Sequence, residues 1–198
     1  DGQIFDRNAE KPKPVSVLFN EGDTVLVQVT REASEGKGPK LSTRLNLTGR
    51  TIVLTPGRPS ISISKSITDE GERQRLEQAL NEYAQSSVGL IIRTRAQGVA
   101  AEMLRTEAEI LSDLWLDIEA TLQTMKPPAC VHESPGAITK YLMDRGDPAW
   151  QRIVVDDRAT MSRFAEICAD MMPGLSELLE LAEDQVAMLE THDLDQQI

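Results

Sequence analysis

Apolar residues recur along most of the chain at spacings that predict a succession of short strands and helices. The clearest pattern runs from Val99 to about Met125, where apolar side chains step by three or four residues, as they do on one face of a helix. The side chains on this face are Ala100, Leu104, Ala108, Leu111, Trp115, Ile118, Leu122 and Met125. We expect this face to pack into a core and the acidic residues beside it, Glu107 among them, to be solvated. Pro127–Pro128 then ends the helix.

Shorter patterns precede this helix. Side chains alternate between apolar and polar over residues 24–30, 41–47, 49–55 and 60–66, which predicts four half-buried strands. In the last of these, Ile61 and Ile63 face inward. The continuous apolar run Leu90–Ile92 predicts a buried strand.

A helix is predicted between the last two of these strands, over about residues 70–86. Asp69 followed by Glu72 fits a capping box, in which each side chain bonds the backbone N–H of the other residue. Leu76, Leu80 and Tyr83 supply the apolar stripe of this helix.

The remainder of the chain predicts strands that alternate with helices, so the predicted fold class is α+β. The strands are expected over residues 129–132, 152–155 and 176–181, and the helices after Ser134–Pro135, over 158–171 and from Asp193. Asp157 is placed to cap the second of these helices. Residues 1–20 lack a regular pattern, and we interpret them as a loop or linker.

Charge is distributed unevenly along the chain. The formal net charge of −11 at pH 7 argues against nonspecific nucleic-acid binding by the whole surface. Residues 31–105 nevertheless carry 12 basic and 8 acidic side chains, whereas residues 106–198 carry 6 basic and 19 acidic ones. A basic segment is thus joined to a strongly acidic one. The alternative is two ordinary solvated faces that differ by chance.

Cysteine and histidine usage does not indicate a metal centre. Cys130 and Cys168 lie apart in apolar patterns, and we expect buried, reduced thiols, with a disulfide or a metal pair as the alternative. No cysteine–histidine cluster has zinc spacing. No apolar run approaches the length needed to span a bilayer. We therefore expect a cytoplasmic protein without a membrane segment.

Arg93 and Thr94 follow the apolar run and precede Gly98 and the long helix. A guanidinium offers a planar pair of donors that fits a phosphate, and the N-terminus of a helix favours an anion. These residues therefore predict a pocket for a terminal phosphate group. The alternative is structural: Arg93 pairs with a carboxylate and Thr94 caps a turn.

Several segments, taken in order, are similar to the ribonuclease E/G family. They are Gly36–Thr43 (GKGPKLST), Leu47–Pro59 (LTGRTIVLTPGRP), Ile63–Ile67 (ISKSI) and Gly89–Thr94 (GLIIRT), followed by Gly98, Glu102, Leu104 and Trp115. The similarity extends over roughly residues 21–198. No single segment is specific, whereas their order is.

The resemblance implies three parts in this chain. Residues 1–47 would hold a linker and partial S1-type β-barrel strands that bind RNA, and residues 48–172 a mixed α/β 5′-sensor domain. Residues 173–198 would begin an RNase H-like subdomain, a short tail here. The DNase I-like catalytic region of the family is expected to be absent.

The resemblance also implies a binding site for single-stranded RNA with a 5′-monophosphate. The phosphate-binding arginine and threonine of the family correspond to Arg93 and Thr94. Gly49 and Val53 correspond to positions that line the terminal nucleotide. Lys65 stands where the family usually has an arginine, which keeps the charge but replaces a planar fork with a point charge. We expect a triphosphate to lack room and matching positive charge.

The family cuts RNA, in RNA processing and mRNA decay, with two aspartates that hold Mg²⁺, which activates water for attack on the phosphodiester. Their motifs, D-x-N-S/T-G and D-F-x-D-M, do not occur in this sequence. We therefore expect Mg²⁺ in a longer parent endoribonuclease, no metal and no catalytic residue in this chain, and no cleavage by it alone. The resemblance further implies a homo-oligomer of the full-length protein.

Two other functions stay open from the sequence. The acidic segment 106–198 suits a non-catalytic protein-interaction module, in which Arg93 has only a structural role. The other is a metal-dependent phosphoesterase centred on Asp156–Asp157, although adjacent residues of a strand point to opposite faces.

Overall fold

A computed structural model of the chain describes residues 3–4, 13–34, 36–85, 87–134, 136–147 and 149–182. The chain forms two compact units, Asp1–Val131 and His132–Ile198. The fold is mixed α+β, as predicted, with several small sheets, and no sheet within the described ranges closes into a barrel. The S1-type and RNase H-like assignments and the domain boundaries at residues 47 and 172 stay predictions.

The first unit begins with two small antiparallel sheets. Strand β1 (Gln3–Ile4) pairs with β2 (Lys13–Pro14), and helix α1 (Val15–Leu18) follows directly, so the loop predicted for residues 1–20 contains regular elements. Strand β3 (Gln28–Arg31) pairs with β4 (Lys40–Ser42), and both are shorter than the alternating pattern predicted.

A side chain ends strand β4 early. The Ser42 hydroxyl accepts a hydrogen bond from the Arg44 backbone N–H at 3.0 Å and turns the chain. The Gln28 side chain then bonds the backbone of Asn46 in place of a strand partner, with N···O distances of 2.9 and 3.0 Å. Local polar contacts therefore replace the second half of the strand predicted over residues 41–47.

A four-stranded sheet is the centre of the first unit. It consists of β5 (Leu47–Thr48), β6 (Ile52–Pro56), β7 (Ile61–Ile63) and β8 (Val88–Ile92), in the spatial order β5-β6-β8-β7. Strand β8 is antiparallel to β6 and parallel to β7. Because β8 has a partner on each side, it lies inside the sheet and not at an edge.

The two faces of this sheet differ in chemistry. On the inner face Leu54 pairs with Leu90 and Ile52 with Ile92, and all four side chains are buried. Ile61 and Ile63 are partly buried against the same core, which confirms their predicted direction. On the outer face Val53 and Ser62 flank Ile91, whose side chain is 40% exposed. The prediction of a fully buried strand over residues 90–92 was therefore wrong for its middle residue.

Two helices cover the inner face. Helix α2 (Glu70–Ala79) ends before residue 86, and the chain continues as a 3₁₀ helix over Asn81–Gln85. Helix α3 (Ala101–Thr124) matches the predicted long helix closely. The buried residues of its apolar face are Leu104, Ala108, Leu111 and Ile118, with Trp115 and Leu122 partly buried. No helix in the described part of the chain is both long and apolar enough to cross a membrane.

The second unit alternates helices and strands as the sequence predicted. Its elements are α4 (Ala137–Arg145), β9 (Ile153–Val155), α5 (Arg158–Met171), α6 (Pro173–Ser176) and β10 (Leu179–Leu181). Strands β9 and β10 pair in parallel. The core of this unit consists of Leu142, Met143, Val155, Phe164, Cys168, Met172, Leu175 and Leu179.

Local predictions in this part had mixed outcomes. Asp157 caps α5 by accepting from the Thr160 N–H at 2.6 Å, as expected. Residues 129–132 form no strand, and Cys130 is exposed, whereas Cys168 is buried as predicted. Helix α4 is capped by Gly136 and not by Ser134. The helix predicted from Asp193 lies outside the described residues.

Truncating Leu104 should destabilise the first unit far more than truncating Leu116. Both are leucines on α3, but Leu104 is fully buried and Leu116 is 59% exposed. Leu104→Ala leaves a cavity in the core, with an expected cost of ~2–5 kcal/mol in the free energy of unfolding. Leu116→Ala should cost under ~0.5 kcal/mol. Urea unfolding measures both, and similar losses would contradict this orientation of the helix.

Candidate phosphate-binding site

Arg93 and Thr94 lie where β8 leaves the sheet. The Arg93 backbone N–H donates to the Thr51 carbonyl at 2.8 Å, and the Ser64 N–H donates to the Ile92 carbonyl at 2.8 Å. The end of β8 is therefore held from the β6 side and from the β7 side at the same level. These two contacts bring the chain segments before β6 and after β7 next to Arg93 and Thr94.

An open cleft of about 300 Å³ lies at this point. The residues that line it are Ser64, Ile91, Ile92, Arg93, Thr94 and Arg95. The cleft is at the small end of the range of about 300–1,000 Å³ for small-molecule sites. It thus combines positive charge, hydroxyl groups and one exposed apolar side chain.

Two hydroxyl groups meet in the cleft. The Ser64 and Thr94 side-chain oxygens are 2.9 Å apart, which is a hydrogen bond in which either can donate. Each hydroxyl has one proton and two lone pairs, so the pair can rotate to offer a donor to a bound anion. Thr94 was expected here from the sequence, and Ser64 was not.

The Arg93 guanidinium contacts the turn that precedes β6. Its Nη1 donates to the Gly49 carbonyl at 2.8 Å and to the Arg50 carbonyl at 3.3 Å. Arg93 is half-buried and also lines the cleft. Two carbonyl acceptors on one nitrogen limit the rotation of the planar group, so the direction of the guanidinium is fixed by backbone atoms.

That turn is held from behind by a carboxylate of α3. Glu107 accepts hydrogen bonds from the Thr51 N–H at 2.9 Å and from the Thr51 hydroxyl, with a longer contact of 3.4 Å to the Ile52 N–H. The expectation that Glu107 is part of a solvated face was therefore wrong: the side chain is half-buried and bound to the turn. A carboxylate can be buried here because protein donors replace its water.

The first turn of α2 holds the loops on either side of the cleft. Arg73 donates to the carbonyls of Ser64 and Ile67 at 3.2 and 3.0 Å. Glu72 accepts from the Gly98 N–H at 2.8 Å and pairs with Arg75 at 2.7 Å. Adjacent residues of one helix thus fasten the Ser64 loop and the turn after Thr94.

The predicted capping box is only half formed. The Asp69 carboxylate accepts from the Glu72 N–H at 2.6 Å, as an N-cap residue does. The Glu72 side chain turns to Arg75 and Gly98 instead of returning to Asp69. The Arg75 guanidinium and the Gly98 N–H hold the pKa of Glu72 at about 2, below its model value of 4.5.

The N-terminus of the long helix does not contribute to the site as predicted. A 3₁₀ helix over Thr94–Ala96 separates Arg93 from α3, and Gly98 has a φ of 76°. The backbone N–H groups of residues 96–99 donate to Arg93, Thr94, Glu72 and Ala96 in turn. Because these donors are engaged, charge and hydroxyl groups are the donors left to consider for an anion.

The other residues expected from the resemblance lie around the cleft. Gly49 contacts the Arg93 guanidinium through its carbonyl. Val53 pairs with Ile91 on the outer face of the sheet. Lys65 is exposed, directly follows Ser64 and is not among the lining residues. Whether these positions bind a nucleotide stays a prediction.

Sequence reasoning missed four residues of this region. Ser64, Ile91 and Arg95 line the cleft, and Glu107 fixes the turn beneath Arg93. Ser64 and Arg95 directly adjoin predicted residues in sequence, which is the one signal that could have indicated them. The described residues contain no group of three or more acidic, histidine or cysteine side chains placed to hold a metal, and Asp156 is exposed.

Residues 46–198 match the family model for the ribonuclease E/G family. The chain belongs to this family.

Individual relatives agree with the family match. Ribonuclease G of Salmonella typhimurium (strain SL1344) is 30% identical over 189 residues, which are 94% of this chain and 38% of that protein. Ribonuclease G of Haemophilus influenzae is 28% identical over 199 residues, 99% of this chain and 40% of that protein. Ribonuclease E of Nostoc sp. is 30% identical over 160 residues, 81% and 23% respectively. This ribonuclease E/G chain therefore spans less than half the length of these relatives.

The Glu72 contacts should make the stability of this ribonuclease E/G chain sensitive to acid. A lowered pKa in the folded state means that the contribution of Glu72 is complete above about pH 4.5 and is lost as the pH falls towards 2. The difference in unfolding free energy between the wild type and Glu72→Gln should shrink across this window. Glu70→Gln, on the same helical turn, is the matched control. A Glu72 carboxyl resonance that titrates near pH 4.5 in the folded protein would contradict the geometry.

Proposed function

We propose that this chain is the RNA-binding portion of a ribonuclease E/G-type endoribonuclease and that it senses the 5′-monophosphate of single-stranded RNA. The observation that carries the proposal is the convergence of Arg93, Thr94 and Ser64 on one open cleft. Membership of the ribonuclease E/G family supports a role in RNA processing and decay.

The chemistry of the cleft suits a terminal phosphate. Arginine stays charged at all physiological pH values, and its planar donors match the spacing of phosphate oxygens. The Ser64–Thr94 hydroxyl pair adds donors that can reorient. An internal phosphodiester carries only one negative charge and two non-bridging oxygens, whereas a terminal monophosphate offers three oxygens and up to two charges. The terminal group therefore gains more from this donor set.

The outer face of the sheet is proposed to hold the first nucleoside. Ile91 and Val53 lie side by side next to the phosphate donors, and Ile91 is exposed within the cleft. Gly49 lies on the β6 side of Arg93, and Lys65 on the β7 side. In this arrangement Lys65 supplies a second positive charge at the rim, without the fixed direction that an arginine would have.

The preference for a monophosphate is proposed to follow from the size and charge of the cleft. A volume of about 300 Å³ accommodates a phosphate and part of a nucleoside. A triphosphate would place additional negative charge near a site whose proposed cations are Arg93 and Lys65. Specificity would then arise from charge left without a partner in the wrong ligand.

Cleavage is proposed to belong to a longer protein. The Mg²⁺ that the family resemblance implies has no ligand cluster among the described residues, so no catalytic step is assigned to this chain. We propose that the full-length protein is a cytoplasmic homo-oligomer that supplies the two metal-binding aspartates, and that the present 198 residues do not cut RNA alone.

The acidic segment remains the basis of the second hypothesis. Residues 106–198 carry 19 acidic and 6 basic side chains and could bind a basic protein partner. The segment is divided between the two compact units, which meet at residues 131 and 132. An RNA-binding assay separates the two hypotheses, because the acidic segment gives no reason for a preference between 5′ ends.

Replacing Arg93 should weaken binding of 5′-phosphorylated RNA selectively. We expect Arg93→Ala to raise the Kd for a 5′-monophosphorylated oligoribonucleotide about tenfold to hundredfold, as for the loss of a charge-assisted contact of ~1.5–3 kcal/mol. The Kd for the same RNA with a 5′-hydroxyl should change much less. Fluorescence anisotropy at two salt concentrations measures both constants.

The matched control for this variant is Arg58→Ala. Arg58 is an exposed arginine of the same unit, in the turn after β6. Its loss removes the same charge from the basic segment and should affect both RNAs equally. Equal losses for both RNAs in Arg93→Ala would overturn the proposed function.

The hydroxyl pair should contribute less than the arginine. Thr94→Val keeps the shape of the side chain and removes the hydroxyl, so we expect the Kd for 5′-phosphorylated RNA to rise about threefold to tenfold, the size of one neutral hydrogen bond. Ser64→Ala should act in the same direction, and the double variant should lose less than the sum, because the two hydroxyls bond each other. Calorimetric titration of the three variants measures this coupling. Unchanged affinity in all three would remove the hydroxyls from the site.

A further inference from the structure

We propose that Glu107 is a positioning residue that holds the Arg93 guanidinium in its phosphate-binding direction by way of the turn Gly49–Ile52. This inference rests on the proposed phosphate site and adds to it a residue of α3. It follows from three contacts that share this one turn: the carboxylate behind it, the guanidinium in front of it, and a glycine that lets the carboxylate approach.

The carboxylate takes the donors of the turn. Glu107 Oε1 is 2.9 Å from the Thr51 nitrogen, Oε2 is 3.2 Å from the same nitrogen, and the Thr51 hydroxyl also donates to Oε2. Thr51 is only 5% exposed. A buried N–H and a buried hydroxyl both need acceptors, and one carboxylate supplies them.

The guanidinium takes the acceptors of the same turn. The carbonyls of Gly49 and Arg50 accept from Arg93 Nη1, and the Thr51 carbonyl accepts from the Arg93 backbone N–H at 2.8 Å. The peptide group between Arg50 and Thr51 therefore has an anion at its N–H end and a cation at its C=O end. Each charge polarises this peptide group in the sense that strengthens the other contact.

Gly49 makes the approach of Glu107 sterically possible. A Cβ atom added at Gly49 would lie 2.2 Å from Glu107 Oε1, well inside van der Waals contact, and 3.1 Å from the Ile52 carbonyl oxygen. Any larger residue would displace the carboxylate or the turn. The need for a glycine at this position thus has a cause inside the protein, besides the nucleotide contact implied by the family resemblance.

Removing the carboxylate should therefore release the arginine. Without Glu107 the Thr51 N–H and hydroxyl lose their acceptors, the turn relaxes, and the Gly49 and Arg50 carbonyls no longer present a fixed pair to Nη1. Arg93 keeps its charge but loses its direction. Attraction to RNA in general persists, and the distinction between a terminal phosphate and a hydroxyl weakens.

The test uses the full 198-residue chain and two RNAs that differ only in a 5′-monophosphate or a 5′-hydroxyl. We expect Glu107→Ala to reduce the ratio of the two Kd values about fivefold to tenfold, the size of a partly lost contact to a charged group. Glu107→Gln keeps one acceptor oxygen and should recover part of the ratio. Glu109→Ala, an exposed acid on the same helix, is the matched control and should leave the ratio unchanged.

A double-mutant cycle tests the steric coupling. Gly49→Ala should lower the ratio in the wild-type background, because the new methyl group displaces Glu107. In the Glu107→Ala background the same change meets only the Ile52 carbonyl and should have a smaller effect. Equal effects of Gly49→Ala in both backgrounds would overturn the coupling.

A spectroscopic measurement keeps this inference separate from the proposed function. In the folded wild type, restricted rotation of the Arg93 guanidinium should give resolved side-chain ¹⁵N resonances, assigned by their absence in Arg93→Lys, and Glu107→Ala should average them. If the wild type fails to distinguish the two RNAs, the proposed function fails, and these resonances still decide the role of Glu107. Resonances or a Kd ratio that Glu107→Ala leaves unchanged would overturn the positioning role.

Discussion

The fixed alternation of side chains along β8 determines the site. Strand β8 has hydrogen-bonded neighbours on both sides, and its inner face is part of the buried core. Leu90 and Ile92 must therefore point inward, which directs Ile91 outward and brings Arg93 out of the sheet beside it. A shift of one residue in register would reverse every direction, so the core that stabilises the unit also specifies the position of the candidate ligands.

Elements set by local periodicity could be predicted from sequence. Helix α3 and its buried face follow from a spacing of three or four residues, and the Asp157 cap from one residue type at one position. The continuous run 90–92 was misread because consecutive apolar residues do not show which of them faces solvent. Residues 129–132 carry β-compatible side chains, but no partner strand pairs with them in the described part of the first unit. Pairing, and not composition, decides whether such a segment becomes a strand.

The candidate site could be predicted only where its residues are adjacent in sequence. Arg93 and Thr94 stand together in one motif, whereas Ser64 reaches them through the parallel pairing of β7 with β8. Glu107 contacts Thr51 across 56 positions of sequence, and its helix pattern placed it beside the buried face. Helical spacing cannot show that such a side chain finds a buried donor on another element. Membership of the ribonuclease E/G family was evident from the order of short motifs, which survives at 28–30% identity.

The central sheet has short strands at both of its margins. Strand β5 has two residues and β7 has three, against five in each of the inner strands β6 and β8. Long, flat margins offer rows of unpaired amide groups on which another chain can add a strand and start an aggregate. Margins this brief offer few such groups. The protein can thus leave an isoleucine open to water on the outer surface without also providing a template for intermolecular β-pairing.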